Sequence, residues 1–220
     1  MTRIISHTGL LLIIAGILVL TIDHARRAVA GPTTTPSADP KLPTPRDGGD
    51  VIGTKLAAAE FTHWLNTEKN QPITPGPVTL YRWWTDTCPF CASSLPAIET
   101  FRKKYGPQGL QIVAVYHPKP PRAVKNETVL AAVKQIGYTG PVAIDPDWSI
   151  LKQHWLSTGR RSATSVSFLV DSEGIIRYVH PGPDFFPSAD PNEARQNADY
   201  ADMEKAIIAM LKQPATKPVK

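Results

Sequence analysis

Cys88 and Cys91 stand three residues apart in the run Thr-Cys-Pro-Phe-Cys, and they are the only two cysteines in 220 residues. Such a pair can exchange disulfides, hold a metal or make a structural bond. A structural framework in a small secreted protein draws on more cysteines at wider spacing, and closing so short a loop constrains the unfolded chain little. A zinc site would need two ligands beyond this pair. The flanking sequence favours exchange. An apolar strand, VTLYRWW, ends shortly before Cys88 and a helical pattern follows it. Cys88 therefore falls at a helix N-terminus, where unpaired backbone N–H groups and the positive end of the macrodipole favour thiolate over thiol. Pro89 suits the first helical turn, where its missing N–H would have been an orphan. Cys91, one turn on, lies on the same side and is expected to be the more buried sulfur. The expected chemistry is attack by Cys88 on a partner's disulfide and resolution of the mixed disulfide by Cys91, or the reverse. It calls for neither cofactor nor metal.

The elements that must position this pair follow from the pattern. Residues 55–68 read as an amphipathic helix, then a breaker string precedes the strand VTLYRWW. Residues 89–105 read as a helix containing Pro96, GLQIVAVYHP as a buried strand, 123–136 as a helix, PVAID as a strand and 147–155 as a short helix. SVSFLV and GIIRYVH, joined by Asp171-Ser172-Glu173-Gly174, read as a β-hairpin. Residues 192–212 read as a closing helix. Alternating strands and helices with a terminal hairpin imply an α/β sandwich built on a mixed sheet flanked by helices.

Residues 9–22, GLLLIIAGILVLTI, carry no charge. They read as an export signal or a membrane anchor, with Ala28-Val29-Ala30 offering a small-x-small cleavage site. Residues 31–50 mix five prolines with Thr, Ser, Asp and Gly, an extended spacer reaching at most about 3 Å per residue. The reading is thus a signal or anchor over 1–27, a Pro-rich linker over 28–50, one folded domain over 51–212 and a disordered tail over 213–220. The domain is placed on the periplasmic or extracellular side of a cell membrane, single-pass, or secreted if cut after Ala30. The 24 Lys plus Arg exceed the 19 Asp plus Glu by a formal +5. Several of the cations sit in the chain ends and the local run Arg102-Lys103-Lys104 reads as a solvated face, so a nucleic-acid partner is not indicated.

Residues about 77–182 resemble the TlpA/ResA-like branch of the thioredoxin superfamily. The resemblance is carried by Trp84, Cys88, Cys91 and Pro96, the strand GLQIVAVYHP, and PVAIDPDW followed by FLVDSEGIIRYVHPG. It implies a thioredoxin-like domain outside the cytoplasm that exchanges disulfides with protein partners, commonly behind an N-terminal anchor, with reduction of partner disulfides as the expected direction and an upstream redox donor. Around the cysteine pair it places Trp84, Thr87, Pro89 and Phe90, and opposite it Thr164 and Ser165. The chain departs from the family at several of these positions. The tryptophan usual just before the first cysteine is Thr87, and a glutamate that some relatives carry three residues after the second is Ser94. The buried acid that thioredoxins place two residues before the tryptophan falls on Arg82, which is expected to point outward, the other reading being that it lowers the thiolate pKa. The proline usual opposite the pair falls on Ser165, and no proline occurs from Asp147 to His180. The peptide before Ser165 is therefore expected to be trans.

Of the six histidines, His117 and His180 end predicted strands and could reach the rim of the sheet, though surface or loop roles are expected for both. Together with the cysteines, such imidazoles keep a copper- or zinc-binding alternative open. A thioredoxin-like interaction module without turnover is a second alternative. Trp148 and Trp155 are expected to pack in the core. No G-x-S-x-G elbow or Gly-rich phosphate loop occurs.

Overall fold

The structure, a computed structural model, describes residues 42–157 and 159–213. The signal or anchor, most of the linker and residues 214–220 lie outside the described residues. Among the described residues no helix is long and apolar enough to cross a membrane.

Six strands form one mixed sheet in the order β1–β4–β3–β2–β5–β6. Central β2 (Val78–Trp84) lies parallel to β3 (Leu110–Tyr116), which is parallel to β4 (Val142–Ile144). On the other side β2 pairs antiparallel with β5 (Ser167–Asp171), and β5 with β6 (Ile176–His180), the expected hairpin. Every residue of β2 is buried, because a strand in this position has helices or loops over both faces. Its two-residue period sends Val78, Leu80 and Trp84 to one face. There they meet Cys91 of α1 (Pro89–Ser93), Leu95, Ile98 and Phe101 of α2 (Leu95–Tyr105), Val129 and Val133 of α3 (Asn126–Ile136), and Met203 and Ile207 of α5 (Ala194–Leu211). Tyr81 and Trp83 face the other way, onto Phe61, Trp64, Leu151, Trp155 and Phe168. Leu151 ends α4 (Ser149–Leu151), which continues through one wider turn, Lys152–Leu156. Trp155 is core as expected, and Trp148 packs on its edge.

Two expected elements take another form. Residues 55–68 are no α-helix: they hold a 3-10 turn, Ala58–Glu60, then β1 (Trp64–Leu65), and a second 3-10 turn begins at Glu68. The apolar positions Leu56, Phe61, Trp64 and Leu65 are all buried, but Trp64 and Leu65 pair with Ala143 and Val142 of β4. Edge pairing and burial, about 1.5–3 kcal/mol for each large side chain, outweigh the few tenths per residue of helix propensity. The helix expected over 89–105 is interrupted at Ser94, which ends α1 and precedes α2. Pro96 explains the break, since it donates no hydrogen bond and its ring would meet the carbonyl of Ala92.

The folded unit also takes in residues assigned to the linker. Leu42 packs on the first core face, Arg46 pairs with Asp199 at 2.6 Å, and Asp47 pairs with Arg161 at 3.0 Å. Asp50 pairs with the same guanidinium, which stacks 4.1 Å from the Trp155 ring centroid.

Candidate active site

Parallel β2 delivers the chain to the end of the sheet, and the three residues Thr85 to Thr87 turn it into α1. Cys88 is the N-cap residue, with extended backbone. Its carbonyl accepts from the N–H groups of Cys91 and Ala92 at 3.0 and 3.2 Å, and its sulfur accepts from the Cys91 N–H at 3.3 Å. Pro89 fills the first helical position. The two cysteines are joined as a disulfide, with Cα atoms 5.3 Å apart. Cys88 is partly exposed while Cys91 is buried at 2%. A partner sulfur can therefore reach Cys88 and not Cys91. Thr87 and Pro89 are exposed beside it, and Phe90 is the large apolar side chain left exposed among the described residues, at 59%.

Trp84 is fully buried beneath the pair and meets Tyr116 edge-on at 5.1 Å. The Tyr116 hydroxyl donates to Asp86 Oδ1 at 2.9 Å, and the Thr85 hydroxyl to the same oxygen at 3.3 Å. Burial, reinforced by the hydrogen bond to Asp86, pushes the Tyr116 phenol up to about 12, so it stays a donor. Asp86 thereby pins the connection from β2 to Cys88 onto the end of β3, a role that no spacing rule in the sequence announces.

Arg82 does not point outward. The period of two places it with Leu80 and Trp84 on the α1–α2 face, and it is fully buried. Its guanidinium donates to the carbonyls of Ser165 at 2.8 Å and Pro183 at 2.5 Å, and to the hydroxyls of Ser94 at 3.1 Å and Ser167 at 3.3 Å. It also lies 5.4 Å from the Phe185 ring centroid. One side chain thus ties the start of α2, the loop before β5 and the segment after β6 together. Burial pulls its pKa down to about 9, with the Asp184 charge opposing, so it remains a cation at neutral pH.

Thr164 and Ser165 are buried in the loop before β5, and the peptide between them is not among the cis bonds of the described residues, as expected. The Ser165 hydroxyl donates to the Pro183 carbonyl at 2.9 Å. Where the family usually has a proline, this loop is thus held from behind by Arg82 and braced against Pro183. Glu99 turns away, toward Arg102 and Thr139, at 2.8 and 3.0 Å.

The two strand-end histidines are core groups and neither surface nor rim residues. His117 is fully buried against Trp148, its ring nitrogens without partners. His180 Nδ1 accepts from the Gly182 N–H at 3.3 Å, so its Nε2 carries the proton toward Asp199 at 3.1 Å. Among the described residues no three His, Cys, Asp or Glu side chains are grouped to hold a metal ion, which leaves the metal-binding alternative without a third ligand there. Burial, and then the Lys119 charge, lowers His117 to about 3. Burial lowers His180 to about 4, although Asp199 opposes it. Both folded pKa values lie below the unfolded value near 6.5. Between pH 6.5 and 4 the unfolded chain binds protons that the folded chain refuses, so stability present above pH 6.5 is lost as the pH falls, by up to about 1.4 kcal/mol per pH unit for each histidine. The urea midpoint should accordingly drop from pH 7 to pH 5, and His117→Phe should make that drop shallower. An equal midpoint at both pH values contradicts this account.

Comparison with known proteins places this architecture. Residues 64–196 match the Redoxin family. The chain belongs to the Redoxin family. The thiol-disulfide oxidoreductase YkuV of Bacillus subtilis is 30% identical to this chain over 121 residues, 54% of this chain and 77% of that one. Protein DipZ of Mycobacterium tuberculosis is 25% identical over 137 residues, 60% of this chain, and the match spans only 19% of DipZ. The crystal structure of the hypothetical protein SMc02350 from Sinorhizobium meliloti 1021 superposes with a TM-score of 0.53 at 24% identity, covering 77% of this chain and 88% of that one. The fold of this Redoxin-family chain is thioredoxin-like, with the mixed sheet flanked by helices and the cysteine pair at the end of the central strand.

Proposed function

We propose that this protein is an extracytoplasmic thiol-disulfide oxidoreductase that exchanges disulfides with protein partners through Cys88 and Cys91. The observation that carries the reading is the asymmetry of the pair: a partly exposed sulfur at a helix N-cap, bonded to a buried one a turn later. In the reduced protein the Cys88 thiolate attacks a partner disulfide, one partner sulfur leaves as thiolate, and a mixed disulfide forms. Cys91 then attacks Cys88 Sγ and expels the second partner sulfur. The partner gains two electrons and, with protons from water, becomes a dithiol, and the Cys88–Cys91 disulfide remains. An upstream dithiol donor then reduces the Cys88–Cys91 disulfide by two such exchanges and itself becomes a disulfide. Reduction of partners is the direction we propose, from the resemblance to the TlpA/ResA-like branch.

The exposed Phe90 ring next to Cys88 supports an extended or unfolded polypeptide as the partner, since it offers apolar contact beside the reacting sulfur. The uncharged N-terminal run supports a membrane-tethered or exported protein. The test is equilibration of the full-length chain with glutathione, followed by thiol alkylation, beside labelling of intact reduced cells with a membrane-impermeant maleimide. A reversible two-electron couple, between roughly −270 and −120 mV, and labelling of Cys88 from outside are expected. A pair that stays locked in one state sinks the exchange reading, and protection of Cys88 in intact cells sinks the location.

A further inference from the structure

We propose that Arg82 is a positioning residue for the redox couple, a buried cation with no carboxylate bonded to it in the disulfide form that gains a nearby anion when reduction leaves a thiolate on Cys91. Arg82 thereby makes the pair a stronger oxidant than it would otherwise be. The inference rests on the exchange chemistry proposed above.

All four hydrogen-bond partners of the guanidinium are neutral: two carbonyls and two serine hydroxyls. Its Nε has no partner. The carboxylate of Asp184 is held by Arg195 at 2.5 Å. A charge buried with no opposite charge bonded to it is a costly arrangement in a fold, so an anion formed near it is stabilised. The guanidinium is anchored at Ser94, three residues after Cys91 and in helical backbone. Positions at this spacing share a helix face, about 5–6 Å apart, and Cys91 and Trp84 belong to the same buried cluster. Around this cation His117 and His180 are held neutral, with the Arg82 charge contributing to both shifts. Three buried carboxylates are bonded to other arginines: Asp184 to Arg195, Asp199 to Arg195 and Arg46, and Glu99 to Arg102. Asp86 lies exposed on the approach to Cys88.

When a partner thiolate attacks Cys88 Sγ, the Cys88–Cys91 bond breaks and its electron pair leaves on Cys91 Sγ. A second partner thiolate then attacks the partner sulfur bonded to Cys88 and expels the Cys88 thiolate. The disulfide carries no charge for Arg82 to stabilise and the departing Cys91 thiolate does. The cation therefore acts on the reduced side of the equilibrium, and on Cys91 as a leaving group.

The experiment equilibrates full-length wild type, Arg82→Met and Arg82→Lys with glutathione and counts free thiols by alkylation. Arg82→Met should shift the equilibrium at least about tenfold toward the disulfide, about 30 mV for this two-electron couple, with Arg82→Lys within about threefold of wild type. An Arg82→Met equilibrium matching wild type, with unchanged near-UV circular dichroism, overturns the proposal. Arg82→Met also deprives two buried carbonyls of a donor, so Cys88→Ser supplies a reading with Arg82 in place. In that variant the Cys91 thiol should titrate, by thiolate absorbance, below the ordinary value of about 8.5. Burial alone would raise it, and a value above 8.5 overturns the proposal. If the wild-type pair does not equilibrate with glutathione at all, the exchange reading fails, and the Cys91 titration still judges Arg82.

Discussion

Cys88→Ser should lower the rate of disulfide exchange with a peptide or protein substrate by about 1000-fold or more, the scale on which a covalent nucleophile matters, while leaving the melting temperature nearly unchanged. Cys91→Ser should act differently. The partly exposed Cys88 can still attack, but the resolving sulfur one turn into α1 is gone, so a mixed disulfide accumulates and survives non-reducing electrophoresis. The asymmetry follows from burial: Cys91 is at 2% exposure, reachable from Cys88 and closed to a partner. Both variants can be assayed with a single disulfide-bonded substrate. Equal trapping by the two variants would mean that either sulfur can meet the partner, and the assignment of roles would fall.

The second large effect lies away from the sulfurs. Gly182 holds φ at +88°, a region costing other residues about 1–2 kcal/mol. A Cβ there would overlap the Ser165 carbonyl, which Arg82 and the Ser165–Pro183 contact hold in place. Gly182→Ala should therefore cost about 3 kcal/mol or more, through backbone strain plus displacement of a hydrogen-bonded loop. For a domain of this size that corresponds to a fall in melting temperature of about 6–12 °C. Gly49→Ala is the control, because a Cβ at Gly49 meets nothing within 4 Å, and it should stay within about 0.5 kcal/mol of wild type. A Gly182→Ala protein that melts with the wild type would show that the loop opposite the dithiol is not fixed from behind.

The cysteine pair, the strand that delivers it, the hairpin and the closing helix were legible in the sequence because each is written in local chemistry. VTLYRWW is an apolar run with β-forming residues, Pro89 marks the start of a helix, and Asp171 to Gly174 form a turn with Gly174 at a φ of +82°. Such signals depend on near neighbours in the chain, and the fold preserves them. Residues 55–68 read wrongly for the complementary reason. Their apolar spacing was real, and Leu56, Phe61, Trp64 and Leu65 are buried, but whether Trp64 and Leu65 form a helix or a strand was settled by β4, far along the chain. Arg82 shows the limit most sharply. Its residue type suggests solvent, whereas the alternation of β2 and the covering of both its faces drive it inward. Its partners, Ser94, Ser165, Ser167 and Pro183, come from segments up to 101 residues away. Sequence alone picked out the cysteine pair, the N-cap position of Cys88 and the thioredoxin-like order of most elements. Tertiary structure decided which charge is buried behind those atoms and what holds the opposing loop, because hydrogen bonds to a buried cation are made only when distant strands and loops have come together.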